Sequence, residues 1–148
     1  MIEKPKMNKG LLYFSVSDLC KNRTAERWAI KNEPTEEQRN NIETFIVNIL
    51  DPAQSISGGN ICIECGFVSK RVAKLLKIDK DSKLRDGCAV IISCDNPDEM
   101  YEILQELEHD ELIYTTEKTN QFPIKKIFVS YNKGNNRNLS NKQTIYKY

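Results

Sequence analysis

The stretch 35–50, TEEQRNNIETFIVNIL, constrains this chain more than any other. It sets Ile42, Phe45, Ile46, Ile49 and Leu50 at i, i+3, i+4, i+7 and i+8, which is one apolar stripe along a helix. A stripe that wide has to be buried against a second layer. Thr35 and Gln38 make a capping-box start, Glu36 and Glu37 suit the positive end of the helix dipole, and Pro52 is expected to stop the helix. A second helix comes later in the chain. Asn96 reads as its N-cap, Pro97 as its first residue and Asp98 and Glu99 as its first turn, with Met100, Ile103, Leu104 and Leu107 on one face.

The second layer comes from strand-like runs at 60–65 (NICIEC), 87–94 (GCAVIISC), 111–116 and 124–131 (IKKIFVSY). Lys70 to Lys77 (KRVAKLLK) reads as a short helix with Val72, Leu75 and Leu76 inward. Ser55 to Gly59 reads as a flexible turn, and Lys133 to Asn138 as a polar loop. Helices and strands segregated along the chain point to α+β, a small, mostly antiparallel sheet packed by helices. At 148 residues one domain is the expectation, with residues 1–12 as a flexible arm, 13–138 as the folded unit and 139–148 as a polar tail.

Charge and composition narrow the function classes. With 22 basic against 21 acidic residues the chain has a formal net charge of +1, so it lacks the overall electrostatic footprint of a nucleic-acid binder. No apolar run approaches the ~20 residues that span a bilayer, and MIEKPKMNKG lacks the apolar core of a secretory signal. The expectation is therefore no membrane partner and no Sec export. Five cysteines, Cys20, Cys62, Cys65, Cys88 and Cys94, are an odd set that favours reduced, mostly buried thiols over a disulfide framework.

Few residues present themselves as chemistry. Cys62-x-x-Cys65 has zinc-knuckle spacing, but in a regular strand residues i and i+3 point to opposite faces, so a metal would need a turn there. A thioredoxin-like role would need the pair at a helix start. The single histidine, His109, sits between Glu108 and Asp110 and reads as a solvated helix-end imidazole. Ser57-Gly58-Gly59 lacks the Lys-Ser/Thr of a P-loop. Lys70, Arg71, Lys74 and Lys77 read as a solvated basic face.

The block 14–34, FSVSDLCKNRTAERWAIKNEP, resembles the opening of the zinc D-alanyl-D-alanine carboxypeptidase and phage endolysin family, the L-alanyl-D-glutamate peptidase-like group with a Hedgehog-type fold. There a Phe-Ser start (Phe14-Ser15), a Thr-Ala pair (Thr24-Ala25) and an Ile-x-Asn-x-Pro step (Ile30, Asn32, Pro34) precede the long helix. The family continues with a strand ending Ser-Gly-Tyr-Arg, here Cys65-Gly66-Phe67-Val68, and a Ser-x-His-x-x-Gly-x-Ala-x-Asp motif, here kept at Ser82, Gly87 and Ala89. A late Trp-x-His-Val-Ser-Tyr strand is kept at Val129-Ser130-Tyr131. An Asp-x-Leu-Ile strand is kept at Asp110, Leu112 and Ile113, and Asn136-Arg137 matches the family's ending.

The resemblance implies that scaffold positions survive and chemical ones do not. Leu84, Ile91 and Phe128 stand at the three zinc-ligand positions, Thr115 at the general-base Glu, and Val68 at the substrate-facing Arg. None of the three offers a lone pair to a metal, so neither zinc nor another cofactor is expected, and no catalytic residue. Leu84, Ile91 and Phe128 are instead expected to meet as an apolar cluster. The resemblance thus implies a degenerate, non-catalytic peptidase fold serving as a structural or binding module, made in the bacterial cytoplasm and located in a phage virion, in head or tail, with other virion proteins as partners. The alternatives are a peptidoglycan-cleaving metallopeptidase with an unorthodox site and a non-catalytic cell-wall binder.

Overall fold

The computed structural model describes residues 11–118, 123–132 and 139–146. Residues 1–10 and 147–148 and the expected loop at 133–138, with Asn136 and Arg137, lie outside the described residues. Helices α1 (Val16–Cys20), α2 (Arg23–Arg27), α3 (Glu36–Phe45) and α4 (Asp51–Ser57) precede strand β1 (Ile61–Cys65). Then come α5 (Lys70–Leu75), β2 (Ala89–Cys94), α6 (Pro97–Glu106), β3 (Glu111–Lys118), β4 (Pro123–Ser130) and β5 (Leu139–Tyr146). Among the described residues these strands form one sheet in the order β1-β2-β4-β3-β5, antiparallel except for the parallel β3–β5 pair. The architecture is α+β.

The helix that the sequence marks most strongly starts as expected. The Thr35 hydroxyl accepts from the Gln38 N–H and the Gln38 side chain accepts from the Thr35 N–H. Its stripe, Ile42, Phe45, Ile46, Ile49 and Leu50, is wholly buried. Pro52 does not end it, contrary to expectation. A π-helical turn over Ile46–Leu50, with the Asp51 N–H donating to the Ile46 carbonyl five residues back, leads directly into α4. Proline lacks an N–H and crowds the carbonyl four residues earlier, and the wider turn removes both conflicts. Ser55 to Ser57 are therefore helical, and only at Gly58, at φ 62°, does the helix stop in the left-handed conformation that suits glycine.

Alternation along the strands divides the core in two. Val90 and Ile92 of β2, Leu112 and Tyr114 of β3, and Ile127 and Val129 of β4 meet the stripe of α3 and Met100, Tyr101 and Leu104 of α6. The opposite face presents Ala89, Ile91 and Phe128 to Ala25 of α2, Val68, Val72 and Ala73 of α5, and Leu84. Leu75 and Leu76, expected inward, are largely exposed. A helix of fewer than two turns buries only one short edge, Val72 and Ala73, and Lys77 at φ 58° then turns the chain so that Ile78 packs on this cluster instead.

Both ends of the expected domain move outward. Leu11 packs against the first core, and the N–H groups of Leu12, Tyr13 and Phe14 all donate to the buried Asp51 carboxylate at 2.8, 3.1 and 3.3 Å. Residues 11 and 12 thus belong to the fold and not to an arm. The segment 139–148, expected as a tail, supplies β5, which lies beside β3 from Glu111↔Leu139 to Lys118↔Tyr146. Its polar sequence fits an edge strand, where one side of the ladder faces solvent.

Candidate functional site

Asn32, Gly66, Ser82 and Gly87 build the backbone frame on the second face of the sheet. Asn32 is its staple. The Asn32 amide donates to the carbonyls of Cys20 and Phe67, both at 2.8 Å, and its oxygen accepts from the Ser69 N–H at 2.6 Å. Gly66 is pressed against α1: a Cβ there would lie 2.2 Å from the Leu19 carbonyl oxygen, which already accepts from the Phe67 N–H. These contacts fix the peptide groups on both sides of Val68. Ser82 caps the 3-10 turn Lys83–Asp86 by accepting from the Leu84 N–H, and Gly87 ends that turn at φ 80° with α3 too close for a side chain.

Within this frame the five expected site positions come together. Val68 and Leu84 are buried in one cluster, and Ile91 and Phe128, direct partners across β2 and β4, pack against it. Thr115 lines the same open groove as Ile91 and Phe128, a space of about 380 Å3 completed by Glu64, Cys65, Glu117 and Lys126. The floor is hydrocarbon and the rim is polar. No three His, Cys, Asp or Glu side chains among the described residues stand close enough to hold a metal ion.

Glu64 organises the rim. Its carboxylate accepts from the Ser93 hydroxyl at 3.1 Å and the Cys62 thiol at 3.4 Å, and pairs with the Lys126 ammonium at 3.6 Å. Both ends of that ion pair are part-exposed, so it contributes little, about 0–1 kcal/mol. Cys62 and Cys65 were expected on opposite faces of β1, yet they share one. Cys62 faces Ser93 and Cys65 faces Ile91, two residues apart on β2, because the register shifts between Ile63 and Cys65. The extra residue is Glu64, and a bulge of this kind turns the following side chain to the other side. The pair brackets Glu64 along a second groove of about 540 Å3 that runs on to Arg23 and Leu76.

The cysteines are all free, with Cys88 buried, Cys62 exposed and the others between. Burial raises the Cys65 thiol above its usual pKa, with Lys126 pulling the other way, so it stays protonated near neutrality. Burial, helped by Asp86, pushes the Cys88 thiol up to about 11. His109 is not the solvated imidazole expected. It is buried, with Nδ1 2.7 Å from the Leu107 carbonyl and Nε2 3.1 Å from the Ser140 hydroxyl, so it ties α6 to β5 and lines neither groove.

No protein-family model, curated protein or solved structure matches the chain. Sequence reasoning passed over Glu64, Ser93, Lys126 and Glu117. Period-two alternation from Ile91 and Phe128 places Ser93 and Lys126 on this face, and alternation from Thr115 places Glu117 there too. The bulge that adds Cys65 to Glu64 had no such signal.

Proposed function

We propose that this chain is a non-catalytic structural or binding module built on a peptidoglycan-peptidase fold of the Hedgehog type, and that it serves as a phage virion component in contact with other virion proteins. One observation carries the reading. The positions at which the resemblance calls for three zinc ligands and a substrate-facing Arg are Leu84, Ile91, Phe128 and Val68, and these four pack in one apolar cluster. Hydrocarbon side chains cannot ligate zinc, and without a bound metal the pKa of water stays far above neutrality. Thr115, at the general-base position, cannot accept a proton at neutral pH.

The competing reading is a peptidoglycan-cleaving metallopeptidase with an unorthodox site. Metal analysis of the purified protein with a cell-wall digestion assay separates the two. The expected result is no stoichiometric zinc and no digestion; one zinc per chain with chelator-sensitive cleavage overturns the proposal. Proteomics of purified particles tests the location, and absence of the chain from virions removes that part. Sedimentation with purified cell wall tests the non-catalytic binder, for which the polar rim of the groove is the available surface.

A further inference from the structure

Away from the grooves described above, a separate cleft of about 360 Å3 lies where α5 meets the segment after it. Lys70, Lys74, Ile78, Lys80 and Arg85 line it, four cations around one apolar residue, with no carboxylate among them. The near-neutral charge of the whole chain hides this concentration. Residues 70–86 carry seven basic against three acidic side chains, a local net of +4, where the complete chain has +1. Other lysines find partners: Lys21 pairs with Asp18, Lys125 with Asp98 and Lys126 with Glu64. Among the described residues none of the four cleft cations has one.

Helix electrostatics account for the placement only in part: Lys74 and Arg85 lie in last turns, where a cation suits the dipole, but Lys70 does not. Lys70 and Arg71 open α5, whose first turn holds no acidic residue, whereas α3 begins with Glu36 and Glu37 and α6 with Asp98 and Glu99. Positive charge at a helix start opposes the dipole, and Lys70 and Lys74 are a like-charged i, i+4 pair. Both choices are mildly unfavourable, and such local conflicts gather where a site is being kept. The backbone beneath is fixed. The Ile78 N–H donates to the Ala73 carbonyl at 2.8 Å, and the Gln38 amide donates to the Arg85 carbonyl at 3.1 Å, which ties the Arg85 backbone to α3.

We propose that this cleft binds an anion carrying several adjacent phosphate groups. Four cations in so small a space call for a ligand of comparable negative charge in a compact form. Linked phosphates supply that together with tetrahedral oxygens that match the planar fork of Arg85 and the point charges of the lysines. The source is either a free multi-phosphate molecule or a phosphodiester polymer. The site is independent of the emptied zinc position and of the reading built on it.

The test is calorimetric titration of the full chain with inorganic tripolyphosphate, alone and in competition with a glycerol-phosphate polymer. Saturable binding that weakens with salt is expected, with Lys74→Gln and Arg85→Gln each lowering affinity about tenfold. Lys125→Gln removes the same charge outside the cleft and should change affinity less than about twofold. Displacement of tripolyphosphate by the polymer assigns a polymeric source, and failure to displace it assigns a free one. No saturable binding, or an equal loss from Lys125→Gln, overturns the proposal. Lys74 is exposed and Arg85 half-exposed, so circular dichroism should report an unchanged fold for each variant.

Discussion

Replacing Asn32 by alanine tests whether one amide holds the frame of the candidate site. The side chain makes three hydrogen bonds, at 2.8, 2.8 and 2.6 Å, to backbone groups of Cys20, Phe67 and Ser69. A net contribution near 1 kcal/mol per bond gives about 3 kcal/mol. Asn32 is only half-buried, so water can reach some of the abandoned groups, which lowers the figure; the desolvation of those it cannot reach raises it. The resulting range, about 2–4 kcal/mol, is a large part of the roughly 5–15 kcal/mol that holds an ordinary domain together. Urea titration followed by circular dichroism should show the midpoint falling by about 1–3 M with the slope unchanged. Asn32→Asp separates hydrogen bonding from packing, because it keeps the shape and the acceptor for the Ser69 N–H while turning a carboxylate toward the two carbonyls. It should cost at least as much as alanine. A loss below about 1 kcal/mol for alanine, or an aspartate variant as stable as the parent, refutes the staple.

Three further perturbations probe the same frame. Gly66→Ala drives a Cβ to 2.2 Å from the Leu19 carbonyl oxygen, so α1 must move. The expected loss is about 3 kcal/mol or more, read from soluble yield and urea midpoint, and an unchanged midpoint counts against the close approach. Cys88 should lower stability as the pH rises from its ordinary 9.0 toward about 11, because the folded state holds the thiol protonated where the unfolded chain releases the proton. Cys88→Ala should flatten that alkaline decline in thermal melts, and a decline of the same steepness in the variant removes the thiol as its cause. Introducing ligands with Leu84→His, Ile91→Asp and Phe128→His should give a chain weakened without metal and stabilised by zinc, by about 4 kcal/mol when zinc stands a thousandfold above its Kd. A folded variant that ignores zinc counts against the family frame.

The range of the forces involved decides which parts of the fold were legible in the sequence. The α3 stripe, its capping box and the start of α6 were read correctly because they depend on residues within two turns of one another. The four strands read from β-branched runs were placed within a few residues, and β5 was missed because LSNKQTIY has the polarity of an edge and gains its place only from β3. Pro52 misled for a related reason: a proline stops a regular helix, but the π turn before it depends on how the whole stripe sits on the sheet. The site was legible in part. Leu84, Ile91 and Phe128 lie on three separate elements, and only an alignment to a known pattern could suggest that they meet. The sharing of a face by Cys62 and Cys65 was out of reach, since one inserted residue in β1 reverses the parity on which strand reasoning rests.

The two faces of the sheet also bear on what a partner can recognise. The first face is closed by α3 and α6 over its buried core side chains and opens only at its edge, where a cleft of about 570 Å3 lies between Tyr101 of α6 and Lys142 of β5. The second is closed only at the end where Val68, Leu84, Ile91 and Phe128 pack, and beyond them it opens into grooves rimmed by Glu64, Lys126, Glu117 and Arg23. On the proposed reading, filling the metal position with hydrocarbon did more than remove a reaction. Ligand side chains around an absent metal would leave buried polar atoms with nothing to satisfy them, a cost of several kcal/mol, whereas leucine, isoleucine and phenylalanine turn the same space into core. A module relieved of that cost can keep the rim polar while its floor holds the sheet, α5 and Leu84 together. Recognition should therefore respond to changes at Glu64 and Lys126, and stability to changes at Leu84 and Phe128.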